Sequence, residues 1–297
     1  MSVFKTFVLV ATVAAAGSTA AAAGREKSTV DSSQEHAVYA SVLTREGVPV
    51  TTLSTADFIV REGGLEREVT KVSPALEPMR IAVLVDTSQA MEPSINDVRH
   101  ALRGFFREMQ GNADIALFEF GTRPMRLVDY TRDPARLEAG IGRLFSHRDS
   151  GSYVLDAIVD ASRDFRAHEA ARPVIVVISG QGPEFSQRFH QNVLDELRAS
   201  HATLHSLVVT RRRVRMFADG VRERELTLSE GATLTGGRRE DLLTSMALAG
   251  KLSDLARELK TQYRVAYARP EMLIGADALR VTVREPQLIV RASRVPR

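Results

Sequence analysis

Two segments, Ile81-Ala82-Val83-Leu84-Val85 and Val174-Ile175-Val176-Val177-Ile178, are wholly apolar and show no alternation. A strand with one wet face alternates apolar and polar residues, whereas one covered on both faces does not, so these runs predict buried strands of a parallel sheet. Helical patterns fall between such strands. Ser94 is placed as an N-cap, and Ile95, Val98, Ala101, Leu102, Phe105, Phe106 and Met109 share one stripe. Residues 115–120 and 127–130 predict strands, 134–145 a helix with Leu137, Ile141, Leu144 and Phe145 inward, and 153–165 another helix. The second apolar run leads to a helix carrying Phe189, Val193, Leu194 and Leu197, then a strand over 204–209. A helix around Leu252, Leu255, Ala256 and Leu259 closes the series. The expected fold class is α/β, a doubly wound parallel sheet of Rossmann-like form spanning 79–261.

The flanks differ. Residues 37–43, 58–61 and 65–72 predict short strands joined by turns at Gly47 and at Gly63-Gly64, and Pro74 and Pro78 mark a linker. At the other end, 263–268, 279–284 and 288–292 predict strands with no helices between them. Each set alone has too few short strands to be stable, so segments 37–73 and 262–297 are expected to build one small β-sandwich-like unit together.

Ahead of these, Lys5, an apolar run over 7–16 and Ala21-Ala22-Ala23 have the order of an export signal over 1–23, leaving a mobile leader over 24–36. The expected location is therefore periplasmic or secreted. No later run reaches the roughly 18 apolar residues of a membrane span. Hydrophobic residues at 44% and charged residues at 26% describe a soluble globular chain rather than a disordered one. The 40 basic and 37 acidic side chains, net +3, are too evenly balanced to argue for nucleic acid. Only Arg211, Arg212, Arg213 and Arg215 are dense, and they read as a solvated loop. With no cysteine, neither disulfides nor thiolate metal sites contribute.

Asp86-Thr87-Ser88-Gln89-Ala90 follows the first buried strand, at the carboxyl end where open α/β sheets place ligands. The segment resembles the D-x-S-x-S motif of von Willebrand factor A domains, whose oxygens hold a divalent cation, with Ala90 in place of the last serine. Gly151 to Ala157 is similar to the family's segment bearing the metal-site threonine, here Ser152. After the second buried strand the family carries T-D-G, but this chain runs Ser179-Gly180-Gln181-Gly182, with Gly180 at the aspartate's place. Asp114 to Phe118, Phe120 and Tyr130 to Asp133 look like the next strands of the family. From Ala37 to Ala292 the chain also resembles the bacterial exported von Willebrand factor A-related proteins. Val42, Gly47, Val50, Leu53, Asp57-Phe58, Val60, Gly63 and Val69 match their opening, and Thr235-Gly236-Gly237, Gln262-Tyr263 and Ala266-Tyr267 their close.

The resemblance implies a non-enzymatic protein-binding or adhesion-type module. Its metal site would be degenerate, keeping Asp86, Ser88 and Ser152 while Ala90 and Gly180 replace the remaining ligands. A hard cation such as Mg²⁺ requires near-octahedral oxygen ligation with one or two carboxylates, so one carboxylate and two hydroxyls imply no cofactor or weakly bound Mg²⁺. Asp149 is a candidate substitute ligand, or else a turn acid. Asp86 has a structural alternative, accepting hydrogen bonds from Ser88, Ser152 or backbone N–H groups. A protein ligand would then be met directly by Gln89, Met91, Tyr153 and Phe185, whose side chains mix apolar area with polar groups. The rivals are a Mg²⁺-dependent adhesion protein and an exported hydrolase using Asp86, Ser88 or Ser179.

Other signals fail on their chemistry. His168-Glu169-Ala170-Ala171-Arg172 has Arg where the zinc-protease motif requires its second His. His201 and His205 are four apart, with His205 in a strand where four residues span roughly 13 Å. Val177 occupies the leading glycine position that a G-x-S-x-G elbow at Ser179 would require.

Overall fold

The chain opens with β1 (Ser33–Leu43), β2 (Phe58–Glu62), β3 (Leu65–Arg67) and β4 (Val69–Pro74). The computed structural model describes residues 33–210, 219–270 and 279–295. The expected signal segment 1–23, residues 24–32 of the expected leader and the Arg211, Arg212, Arg213 and Arg215 cluster lie outside them. The expected leader was four residues too long, because β1 begins at Ser33, where the backbone pairs with Pro270. The strand expected over 65–72 is two strands, β3 and β4, which belong to different sheets.

The core sheet follows: β5 (Met79–Val85), β6 (Ala113–Glu119), β7 (Met125–Thr131), β8 (Arg172–Gly180), β9 (Thr203–Val209) and β10 (Arg239–Leu242), in the order β10-β9-β8-β5-β6-β7. The two apolar runs are the adjacent strands β5 and β8, parallel and buried on both faces. Helices α1 (Ile95–Met109), α2 (Pro134–Gly142) and α6 (Leu248–Lys260) cover one face. Helices α3 (Val154–Ala167), α4 (His190–Ser200) and α5 (Asp219–Thr235) cover the other.

Three expectations need correction. The sheet is mixed, not wholly parallel: β7 runs antiparallel to β6, because the connection of residues 120–124 is too short for a crossover helix. Helix α2 stops at Gly142, and Phe145 is 60% exposed beneath the Arg99 guanidinium instead of packing inward. Phe189 caps the start of α4 and is 69% exposed.

The last strands are β11 (Tyr263–Pro270), β12 (Leu279–Val283) and β13 (Ile289–Arg294). They join the first ones in two antiparallel sheets, β13-β1-β11-β4 and β12-β2-β3. Between these sheets lies an apolar core that includes Val38, Val42, Phe58, Val60, Val265 and Val281. Chain ends that pair in this way make one β unit, as the strand counts required. At the opposite end of the core sheet from its carboxyl edge, Arg172 ties this unit to the α/β body. Its guanidinium donates to Ala75 O and Leu259 O, both at 2.9 Å, and to Gln262 Oε1 at 2.8 Å, and lies 5.0 Å from the Tyr39 ring centre.

Candidate functional site

Three loops meet at the carboxyl edge of β5 and β8, and backbone groups lace them together. His147 N–H donates to Thr87 O at 2.8 Å, and Gln89 N–H to Ser150 Oγ at 3.2 Å. Ser152 N–H donates to Pro183 O and Phe185 N–H to Ser152 O, each at 2.8 Å. Gly121 lies so close to the Thr87 backbone that a Cβ there would meet Thr87 C at 2.2 Å.

Asp86, Ser88 and Ser152 are all fully buried. The Asp86 carboxylate is already engaged. Oδ1 accepts from Ser88 N–H at 2.8 Å, while Oδ2 accepts from Gly180 N–H at 3.0 Å and Ser179 Oγ–H at 3.3 Å. Ser152 Oγ accepts from Val154 N–H at 3.3 Å at the start of α3. Of the serines that a hydrolase would use, Ser179 has its hydroxyl within reach of both Asp86 Oδ2 at 3.3 Å and Gly180 O at 3.2 Å, while Ser88 donates only its backbone N–H to Asp86, its buried hydroxyl having no hydrogen-bond partner.

The donor set does not fit a hard cation. Position 180 supplies no carboxylate, and a Cβ built there would lie 2.9 Å from the Met91 sulfur, which fills the adjoining space. A Cβ on Gly182 would lie 2.9 Å from Ala90 Cβ, so that loop packs directly on the alanine. The one carboxylate present has both oxygens already accepting protein hydrogen bonds, where such an ion takes one or two carboxylates beside its waters. Among the described residues no group of three or more His, Cys, Asp or Glu is placed to hold a metal. Asp149 does not substitute: it is exposed in a left-handed turn with φ 52°.

Of the expected contact residues, Gln89 and Phe185 are exposed and Tyr153 is half-buried. The Tyr153 and Phe185 rings meet edge to face with centres 6.0 Å apart. Met91 is a correction. It is 1% exposed, because the 3-10 turn over Gln89–Ser94 rotates it inward toward Gly180. A partner cannot reach it.

Two buried ionisable residues behind the third loop, Glu184 and Arg224, were not foreseen from the sequence. Glu184 is buried beside Ser152 and Ser186, and burial raises its carboxyl above the ordinary value despite the Ser186 and Ser152 hydrogen bonds and the nearby Arg224 charge. Arg224, on α5, is fully buried and donates to Gly182 O at 2.7 Å, bracing the loop from beneath. No motif announces these residues.

Residues 81–183 match the family described as von Willebrand factor type A domain. No curated protein sequence matches the chain. Among solved structures, proximal thread matrix protein 1 from the mussel byssus is similar at 10% identity and TM-score 0.53, over 67% of this chain and 50% of that one. A von Willebrand factor type A protein from Catenulispora acidiphila is similar at 10% identity and TM-score 0.52, over 89% of this chain and 66% of that one. An aerotolerance-related membrane protein from Bacteroides fragilis shows 16% identity and TM-score 0.45, over 60% of this chain and 98% of that one. The chain thus spans about half of the byssus protein. What the byssus and Catenulispora proteins share with this chain is the fold.

Proposed function

Because the chain carries a von Willebrand factor A-type domain, we propose that it is an exported protein-binding module that recognises a protein ligand at the carboxyl edge of its sheet without a divalent ion. The observation that carries this reading is the closed hydrogen-bond set around Asp86 beneath an accessible rim of Gln89, Tyr153 and Phe185. In a cation-dependent site a metal organises the loops. Here the Asp86 carboxylate does so, accepting from groups on two of them, and direct contacts at the rim are left to bind. The residual Asp86, Ser88 and Ser152 motif is, on this reading, a degenerate metal site retained as scaffold.

A photo-crosslinking amino acid at position 185, and as a control at the distant, exposed position 65, tests the reading in the producing cells. One partner captured from 185 and not from 65 is expected, and its affinity for the purified protein should be equal in Mg²⁺ and in EDTA. Affinity lost in EDTA would support the metal-dependent rival. Capture equal at both positions would remove this face. Export belongs to the same proposal, and intact-mass analysis of the released protein should find a chain beginning at or near Gly24.

A further inference from the structure

His205, near the start of β9, is 2% exposed and faces α6, and neither of its ring nitrogens has a hydrogen-bond partner. A buried imidazole with both nitrogens unsatisfied is uncommon and calls for an explanation. The charged groups facing it come from three elements. Glu258 on α6 is 2% exposed and accepts from Arg291 Nε and Nη2, both at 3.1 Å. Arg291 belongs to β13, so this pair crosses from the α/β body to the β unit. Arg238, in the turn before β10, lies 3.8 Å from Glu258 and 3.0 Å from Glu240, which also binds Lys251 at 2.9 Å.

We propose that His205, Glu258, Arg238 and Arg291 form an acid-released latch between the α/β body and the β unit. While the imidazole is neutral, the cluster holds two guanidinium groups against buried Glu258. A proton on His205 adds a third cation to a closed space and makes both ring nitrogens donors without acceptors. Opening the seam around β13 lets water solvate them.

The direction follows from linkage. Burial, and then the Arg238 and Arg291 charges, outweigh the attraction of Glu258 and push His205 down from 6.5 to about 4. Above 6.5 the ring is neutral in both states. As pH falls toward 4 the opened state takes up the proton first, so the closed state loses stability across that window. Burial would raise Glu258, but the Arg291 hydrogen bonds and neighbouring positive groups outweigh it and hold the carboxyl below its ordinary value. Its contribution is therefore lost only at lower pH, in the same direction.

Hydrogen exchange of the full chain, followed from neutral pH to 4, tests the latch. The opening equilibrium at β13 amides should rise by about two to three orders of magnitude, while β5 and β8 stay protected. His205→Gln, which cannot charge, should abolish most of that rise. An unchanged rise in H205Q, or β5 and β8 opening together with β13, would overturn the proposal. Should H205Q not fold, the parent still decides: an imidazole resonance of folded His205 titrating near 6.5 overturns it, and one remaining neutral to about pH 4 supports it.

Discussion

Asp86 shows how one buried carboxylate can tie neighbouring segments together. It is buried, and its two oxygens take three donors from Ser88, Gly180 and Ser179. Leaving buried donors unpaired costs about 1–3 kcal/mol each, so Asp86→Ala should lower unfolding stability by roughly 3 kcal/mol or more in urea titrations. Asp86→Asn, which keeps one carboxyl-like oxygen, should lose less. The parent's melting temperature should be the same in Mg²⁺ and EDTA, since an ion that bound only the folded state would raise it. A clear Mg²⁺-dependent rise would refute the closed site. The structural role of Asp86, accepting from backbone N–H groups, was legible because the residue sits in a short contiguous motif at the end of a buried strand. Met91 was misjudged because its direction depends on a 3-10 turn that no local pattern announces. Arg224 and Glu184 were invisible, since the contact of Arg224 with the Gly182 carbonyl joins segments 42 residues apart in sequence.

At the scale of elements, strong periodicity made the buried strands and amphipathic helices legible. Helix α5 escaped because its buried face consists of Arg224, Thr227, Leu228, Gly231, Ala232 and Thr235, a polar and small-residue surface with no apolar stripe. Strand β10 escaped because Arg239, Glu240 and Asp241 look like loop residues, although charge suits an exposed sheet edge. The turn between these two elements packs against β13. Gly236 there has φ 72°, and a Cβ on it would stand 2.0 Å from Ala292 O. Gly236→Ala must therefore adopt a left-handed conformation and displace a strand, and should cost roughly 2 kcal/mol or more. Gly104, in the middle of α1 with open space around it, is the control. Gly104→Ala should stabilise by about 0.5–1 kcal/mol. Urea midpoints moving in opposite directions would establish that Gly236 is set by the turn. Equal shifts would show that the β13 contact yields freely.

For the whole molecule, the decisive feature is that the first and last strands complete each other around an α/β body inserted between them. β1 pairs with β11 and β13, and β2 pairs with β12, so neither terminal segment closes a core without the other. The apolar residues that would be uncovered include Val42, Phe58 and Val60, all buried against strands from the far end of the chain. Removing residues 279–297 takes away β12 and β13, along with the Arg291 that holds Glu258. The inserted sheet keeps its own strand order and both helical layers, so it should outlast the unit that loses its partners. The shortened protein is expected to be cut rapidly within residues 37–74 by a non-specific protease and to melt at lower temperature. Meanwhile a fragment containing β5 to β9 should persist. An unchanged digestion pattern and melting temperature would mean that β1 to β4 are held by the α/β body alone, and that the paired ends are not what stabilises the β unit.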